Sequence, residues 1–139
     1  MKLKGTLFAA GVAMLLCAVP GGPAGAAPAA KAAAASADLL GGACSPSLSF
    51  TRTGGAAVAY GSVSCFSSID YLQVDVQLRR NGSVVASNVC GTTSWSVSCD
   101  AGVTCQPGSY QASAQFQAYS TSGSGDYASY TTPVYTVTC

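Results

Sequence analysis

The chain has 139 residues, a formal net charge of +1, 8% charged residues and no histidine. So small and balanced a charge gives no basic field for nucleic acid and no acidic tail. The lack of histidine and of glutamate removes the serine–histidine and cysteine–histidine nucleophile systems and leaves zinc without its usual nitrogen ligands.

Read in chain order, the sequence begins with an export signal. Lys2 and Lys4 form a positive start, residues 7–19 an apolar run too short for a comfortable membrane span, and Ala24-Gly25-Ala26 a small-residue cleavage site. Residues 1–26 are therefore read as a signal peptide, with cleavage nearer Ala30 as the alternative. Cys17 would mark a lipoprotein only if a small residue preceded it, and Leu16 is not small. The mature protein, residues 27–139, is expected to be secreted and extracellular, with no membrane segment.

Residues 27–43 are dominated by alanine and carry little bulk apart from Leu39 and Leu40. So short a helix-favouring run is marginal alone in water. It reads as a flexible arm: either a spacer or a segment that orders on a partner. In the second case Ala32, Ala33, Ala34 and Ala35 allow close backbone approach, Leu39 and Leu40 serve as apolar anchors, and Gly41-Gly42 as a hinge.

From residue 44 to 139 the period becomes two. Leu72, Val74, Val76 and Leu78 alternate with Gln73, Asp75, Gln77 and Arg79, which marks a strand with one buried face. Asn81-Gly82 is a hairpin turn, and residues 83–89 form the returning strand. Tyr110, Ala112, Ala114, Phe116 and Ala118 alternate with Gln111, Ser113, Gln115 and Gln117 in a second long strand. Further strands are expected at residues 47–52 and 56–66 about a Thr53-Gly54-Gly55 turn, at 93–98 around Trp95, and at 127–138, where Pro133 indicates an edge or bulge. The fold class that follows is all-β: a seven-stranded antiparallel sandwich with an extended N-terminal arm.

Cys44, Cys65, Cys90, Cys99, Cys105 and Cys139 make an even count in a short exported chain, hence three disulfides. Folding about Gly54 places Cys44 beside Ser64 and Cys65, and folding about Gly123 brings Cys139 near Cys105. Elimination leaves Cys90 with Cys99. Cross-strand neighbours lie within bridging distance, so the pairing 44–65, 90–99, 105–139 is expected, with a Cys99–Cys105 loop as its rival.

Chemistry has few carriers. Asp70 and Asp75 fall on opposite faces of one strand, while Asp100 and Asp126 sit where aspartate serves turns. No acidic cluster forms a calcium cage, and no C-x-x-C pair supports zinc. No catalytic residue, metal or cofactor is expected. Arg79-Arg80 reads as a solvated hairpin end or an anion-facing corner, and Asn81-Gly82-Ser83 as a turn that happens to match a glycosylation sequon. Tyr119, Tyr127, Tyr130 and Tyr135 gather near the last hairpin, either along the sandwich edge or as aromatic contacts for sugar or protein.

The Pro107-Gly108-Ser109-Tyr110 lead into a long alternating strand resembles the late strand of immunoglobulin-like modules, which implies an immunoglobulin-like sandwich over residues 44–139. The alanine-rich leader and arm ahead of a cysteine-stapled β-domain look like exported proteins of actinobacteria such as Streptomyces. Within that group the layout resembles the small adaptor subunit of the umbrella toxin particles. That resemblance implies a strap at residues 27–43 that inserts into a larger toxin subunit, a sandwich at 44–139, and a hetero-complex with larger secreted proteins. Two other classes stand beside the adaptor: a protease inhibitor presenting the loop from Cys90 to Cys105, and a carbohydrate or cell-wall binder using Tyr119, Tyr127 and Tyr130.

Overall fold

The computed structural model describes residues 30–31, 38–66 and 69–139. Among these, the elements are β1 (Ala30–Lys31), a 3-10 turn (Leu40–Gly42), β2 (Cys44–Thr53), β3 (Ala56–Cys65), β4 (Ile69–Arg80), β5 (Ser83–Thr92), β6 (Ser96–Thr104), β7 (Gly108–Ser120), β8 (Gly125–Thr131) and β9 (Tyr135–Val137). The strands pair antiparallel into two sheets. One has the order β1-β2-β3-β6; the other has β5-β4-β7-β8, with β9 also paired to β7.

Two tight turns set the register. Gly54 and Gly55 both have positive φ, as do Asn81 and Gly82, which matches a two-residue hairpin loop to the twist of its strands. Around the first, β2 and β3 pair from Thr53 opposite Ala56 down to Cys44 opposite Cys65. That register delivers the first disulfide, Cys44–Cys65; Cys90–Cys99 and Cys105–Cys139 complete the expected set.

The core lies between the sheets. Leu48, Phe50, Ala57, Ala59 and Val63 face Leu72, Val74, Val76, Leu78, Ala112, Ala114 and Phe116. Phe50 stacks between Tyr110 and Tyr135 at 5.6 and 5.5 Å. A side chain at Gly61 would meet Val76 and Val74 at 2.9 and 3.0 Å, so the opposite sheet leaves no room here for a Cβ. Tyr110, fully buried, satisfies its hydroxyl by donating to the Gln106 carbonyl at 2.9 Å and accepting from the Gln106 N–H at 3.2 Å.

Several expectations are corrected. The strand at residues 93–98 becomes β6, which starts at Ser96; Trp95 lies in the turn before it. The last strand divides into β8 and β9. Thr132 makes the break: its N–H donates to the Ala112 carbonyl, while its hydroxyl accepts from the Ala112 N–H at 3.0 Å and donates to Pro133 O at 2.9 Å. The ordered domain reaches back beyond Cys44, because Leu39 exchanges two backbone hydrogen bonds with Cys44 and is only 1% exposed. Burial of a leucine side chain is worth about 1.5–3 kcal/mol, enough to fix that turn to the domain.

Candidate functional site

Outward-facing positions of the five-stranded sheet carry a row of long polar and aromatic side chains. Alternation sends Gln73, Asp75, Gln77 and Arg79 of β4 outward, and β7 does the same with Gln111, Ser113, Gln115, Gln117 and Tyr119. The registers then place these residues in rows. Gln73 lies opposite Gln117, which lies opposite Tyr127; Asp75 lies opposite Gln115, which lies opposite Ser129. A depression of 360 Å³ runs between β4, β7 and β8, lined by Asp75, Gln77, Arg79, Ser113, Gln115 and Thr131 among others. A second, of 320 Å³, is lined by Gln115, Gln117, Tyr119, Gly125, Asp126 and Tyr127. Gln115 belongs to both, so the two form one track along the sheet.

The tyrosines at one end of this track are held down. A Cβ added at Gly91 would lie 2.1 Å from the Tyr71 hydroxyl, and one added at Gly125 would lie 2.7 Å from Cε1 of Tyr119. Each ring therefore folds over a glycine of the neighbouring strand, the packing by which aromatic residues cover bare backbone in a sheet. The two ring centroids are 6.5 Å apart, tilted by 40°. Tyr127, 78% exposed, stands beside them. Asp126 is committed to structure: Oδ1 accepts from the Tyr127 N–H at 2.8 Å and Oδ2 from the Leu40 N–H at 2.9 Å.

A second exposed group lies at the end of the sandwich where β2 begins. The Cys65 N–H donates to Trp95 O at 2.8 Å and the Phe66 N–H to Ala43 O at 3.0 Å. These bonds bring Phe66 and Trp95, 78% and 69% exposed, to the root of the N-terminal segment.

The residues singled out in the sequence are thus divided. Tyr119 and Tyr127 share the outer face of the five-stranded sheet. Tyr130 does not join them: it points inward, 9% exposed, edge-on to Phe116 at 5.4 Å. Leu39 is core rather than a partner anchor, and Leu40 is half-buried. Ala32, Ala33, Ala34 and Ala35 lie outside the described residues. Arg79 donates to Gly82 O and to Gln77 Oε1, each at 3.4 Å, and Arg80 donates to Gln106 Oε1, which uses both in holding the hairpin end. Among the described residues no three metal-ligating side chains converge.

Sequence reading missed Tyr71, Phe66 and Trp95 as surface features, and the joining of the two glutamine rows. The alternation in β4 and β7 was visible, but their adjacency is a long-range pairing that no local pattern reports.

No family model matches this chain, and no curated protein matches it. Among solved structures it is similar to wild-type OgpA from Akkermansia muciniphila, at 12% sequence identity and a TM-score of 0.31, covering 66% of this chain and 28% of that one. The chain therefore spans only a small part of that protein, and a likeness this distant carries no functional weight.

Proposed function

We propose that the mature protein is a secreted, non-enzymatic binding module that docks on a larger secreted protein, as an adaptor subunit does. The observation that supports this best is the pair Phe66 and Trp95, large apolar side chains left in solvent beside the root of the N-terminal segment. Aromatic side chains supply much of the energy of protein interfaces, and these two stand largely in solvent. Docking would then centre on this aromatic end, beside the root of the arm. An adaptor of the umbrella toxin kind is one form of this reading.

The export expectation is supported by the three disulfides, which persist in oxidising compartments. Among the described residues no helix is long and apolar enough to cross a membrane. The immunoglobulin-like expectation draws support from the order β2-β3-β6 opposite β5-β4-β7-β8, and from Tyr110 bonding back to the chain upstream.

The test compares three tagged proteins recovered from the culture fluid of the source organism: wild type, a deletion of residues 27–37, and Phe66→Ser with Trp95→Ser. The deletion stops at 37 because Leu39 belongs to the core. One companion protein, identified by mass spectrometry, is expected with the wild type and is expected to be lost from both variants. A companion retained undiminished by the double variant would refute the aromatic end; one retained by the deletion would reduce the arm to a spacer.

A further inference from the structure

We propose that the track across the outer face of the five-stranded sheet is a binding groove for a neutral polysaccharide strand. This site is separate from the aromatic end and goes beyond the adaptor reading.

Shape gives the first reason. Two depressions that share Gln115 make an open, elongated path between β4, β7 and β8 rather than a closed cavity. Such a path admits a chain that continues past both ends.

Chemistry gives the second. Gln77, Gln115 and Gln117 each offer two amide donors and a carbonyl acceptor, and Ser113, Ser129 and Thr131 add hydroxyls. A sugar ring is rimmed by hydroxyls that exchange bonds with such groups. Its C–H faces are apolar and stack on aromatic rings. Tyr71 and Tyr119 are suited to that contact because each rests over a glycine, with one side covered by backbone and part of the ring in solvent. Tyr127 adds a third ring, opposite Gln117 in the sheet.

Charge selects among ligands. Asp75 and Arg79 lie in the same depression and balance one another. Both oxygens of Asp126 already accept backbone N–H bonds. Asp126 keeps its negative charge while accepting these bonds, so the groove has no positive excess with which to draw a polyanion, and a single surplus carboxylate is too little to draw a polycation. A protein partner would be expected to meet an apolar centre, whereas the groove-facing side chains of β4 and β7 are amides, hydroxyls, one ion pair's worth of charge and tyrosine, with no leucine, isoleucine, methionine or valine.

The experiment is titration calorimetry of the mature protein, residues 27–139, against the β-1,4-linked hexasaccharides of glucose and of N-acetylglucosamine, against maltohexaose, and against polygalacturonate as a polyanion. Binding of at least one neutral hexasaccharide is expected. Tyr119→Ala with Tyr127→Ala should weaken it about tenfold, the upper range for losing aromatic contacts. Gly125→Ala keeps every binding side chain but lifts the Tyr119 ring, and should weaken binding about threefold. Tyr60→Ala, on the other sheet's outer face, and Phe66→Ser with Trp95→Ser should bind as wild type. Melting temperatures of all variants establish that they fold. Binding of none of the three neutral sugars, binding of polygalacturonate alone, or undiminished binding by the tyrosine variant would overturn the proposal. Because the two sets of residues do not overlap, loss of the companion protein and loss of sugar binding report on the two readings separately.

Discussion

The outer faces of the two sheets obey the same rule and differ in what they carry. On the four-stranded sheet most outward positions are short side chains, Ser45, Ser47, Ser49, Thr51 and Thr53 of β2, Ser62 and Ser64 of β3, and Ser96 and Ser98 of β6, with Val58 and Tyr60 of β3 and Asp100 of β6 as the larger ones. The serines and threonines are short hydroxyls, some satisfied by each other, as where the Ser47 and Ser62 hydroxyls lie 2.8 Å apart. On the five-stranded sheet the same alternation sends out glutamine, tyrosine, aspartate and arginine. Folding requires only that these positions be polar. Side-chain length is free to vary, and it varies by sheet: one face is smooth and the other is built up around a groove.

If that difference belongs to the surface alone, the inner faces should carry equal weight. Phe50 on the four-stranded sheet and Phe116 on the five-stranded sheet are both buried; Phe50 stacks on Tyr110 and Tyr135, and Phe116 meets Tyr130 edge-on. Phe50→Ala and Phe116→Ala should each cost about 3–5 kcal/mol in urea unfolding. For a domain of this size each kcal/mol lowers the melting temperature by about 4–8 °C. A Phe50→Ala variant that melts like wild type while Phe116→Ala unfolds would show one sheet to be the structural half, and the comparison would have to be redrawn.

The inner faces were largely legible in the sequence, and the groove was not. Alternation in residues 72–78 and 110–118 identifies the buried side chains because burial follows from local period. The Asn81-Gly82 and Gly54-Gly55 turns fix their hairpins, and the first disulfide follows from the β2–β3 register. By contrast, β4 meets β7 across an intervening β5 and β6, so the merging of Gln73 with Gln117 and Asp75 with Gln115 depends on a pairing between distant segments. Tyr130 was misread for a different reason. It is separated from Tyr127 by an odd number of positions, so the strand sends the two to opposite faces, and the clustering of tyrosines in sequence hid that parity. Leu39 was misread because it precedes the first cysteine, although its bonds to Cys44 make it part of the same turn.

The staples distinguish the sheets further. Cys44–Cys65 joins neighbouring strands of the four-stranded sheet, whereas Cys90–Cys99 links β5 to β6 across the sandwich and is accompanied by an Asn88 amide donating to Asp100 O at 3.0 Å. Cys105–Cys139 closes 34 residues and ties the start of β7 to the end of the chain. Arg52 reinforces that corner by donating to Thr138 O. Replacing Cys105 and Cys139 together by serine should cost about 2–4 kcal/mol, read as a shift in the urea midpoint. A shift near zero would mean that Arg52 and the β7–β9 pairing hold the corner unaided.

The smallest effect on stability is the sharpest test of the comparison. Exchanging the character of the two outer faces should leave the fold nearly untouched, because each exchanged position is solvent-accessible and keeps a polar side chain. Ser47→Gln with Ser62→Gln builds up the smooth face. Gln115→Ser with Gln117→Ser flattens the groove. Each pair should change unfolding free energy by no more than about 0.5 kcal/mol. The first loses one mutual hydroxyl contact, and the second loses the weak 3.5 Å bond from the Tyr119 hydroxyl to Gln117. Ligand binding should respond unequally. The flattened groove loses two amides, one of them shared by both depressions, while the built-up face gains amides with no tyrosine platform held over glycine beside them. Titration with the neutral hexasaccharide that binds wild type should therefore show weakening only for the glutamine pair. Equal weakening by both pairs would mean that the ligand wraps the whole domain, and the division into a smooth face and a working face would fail.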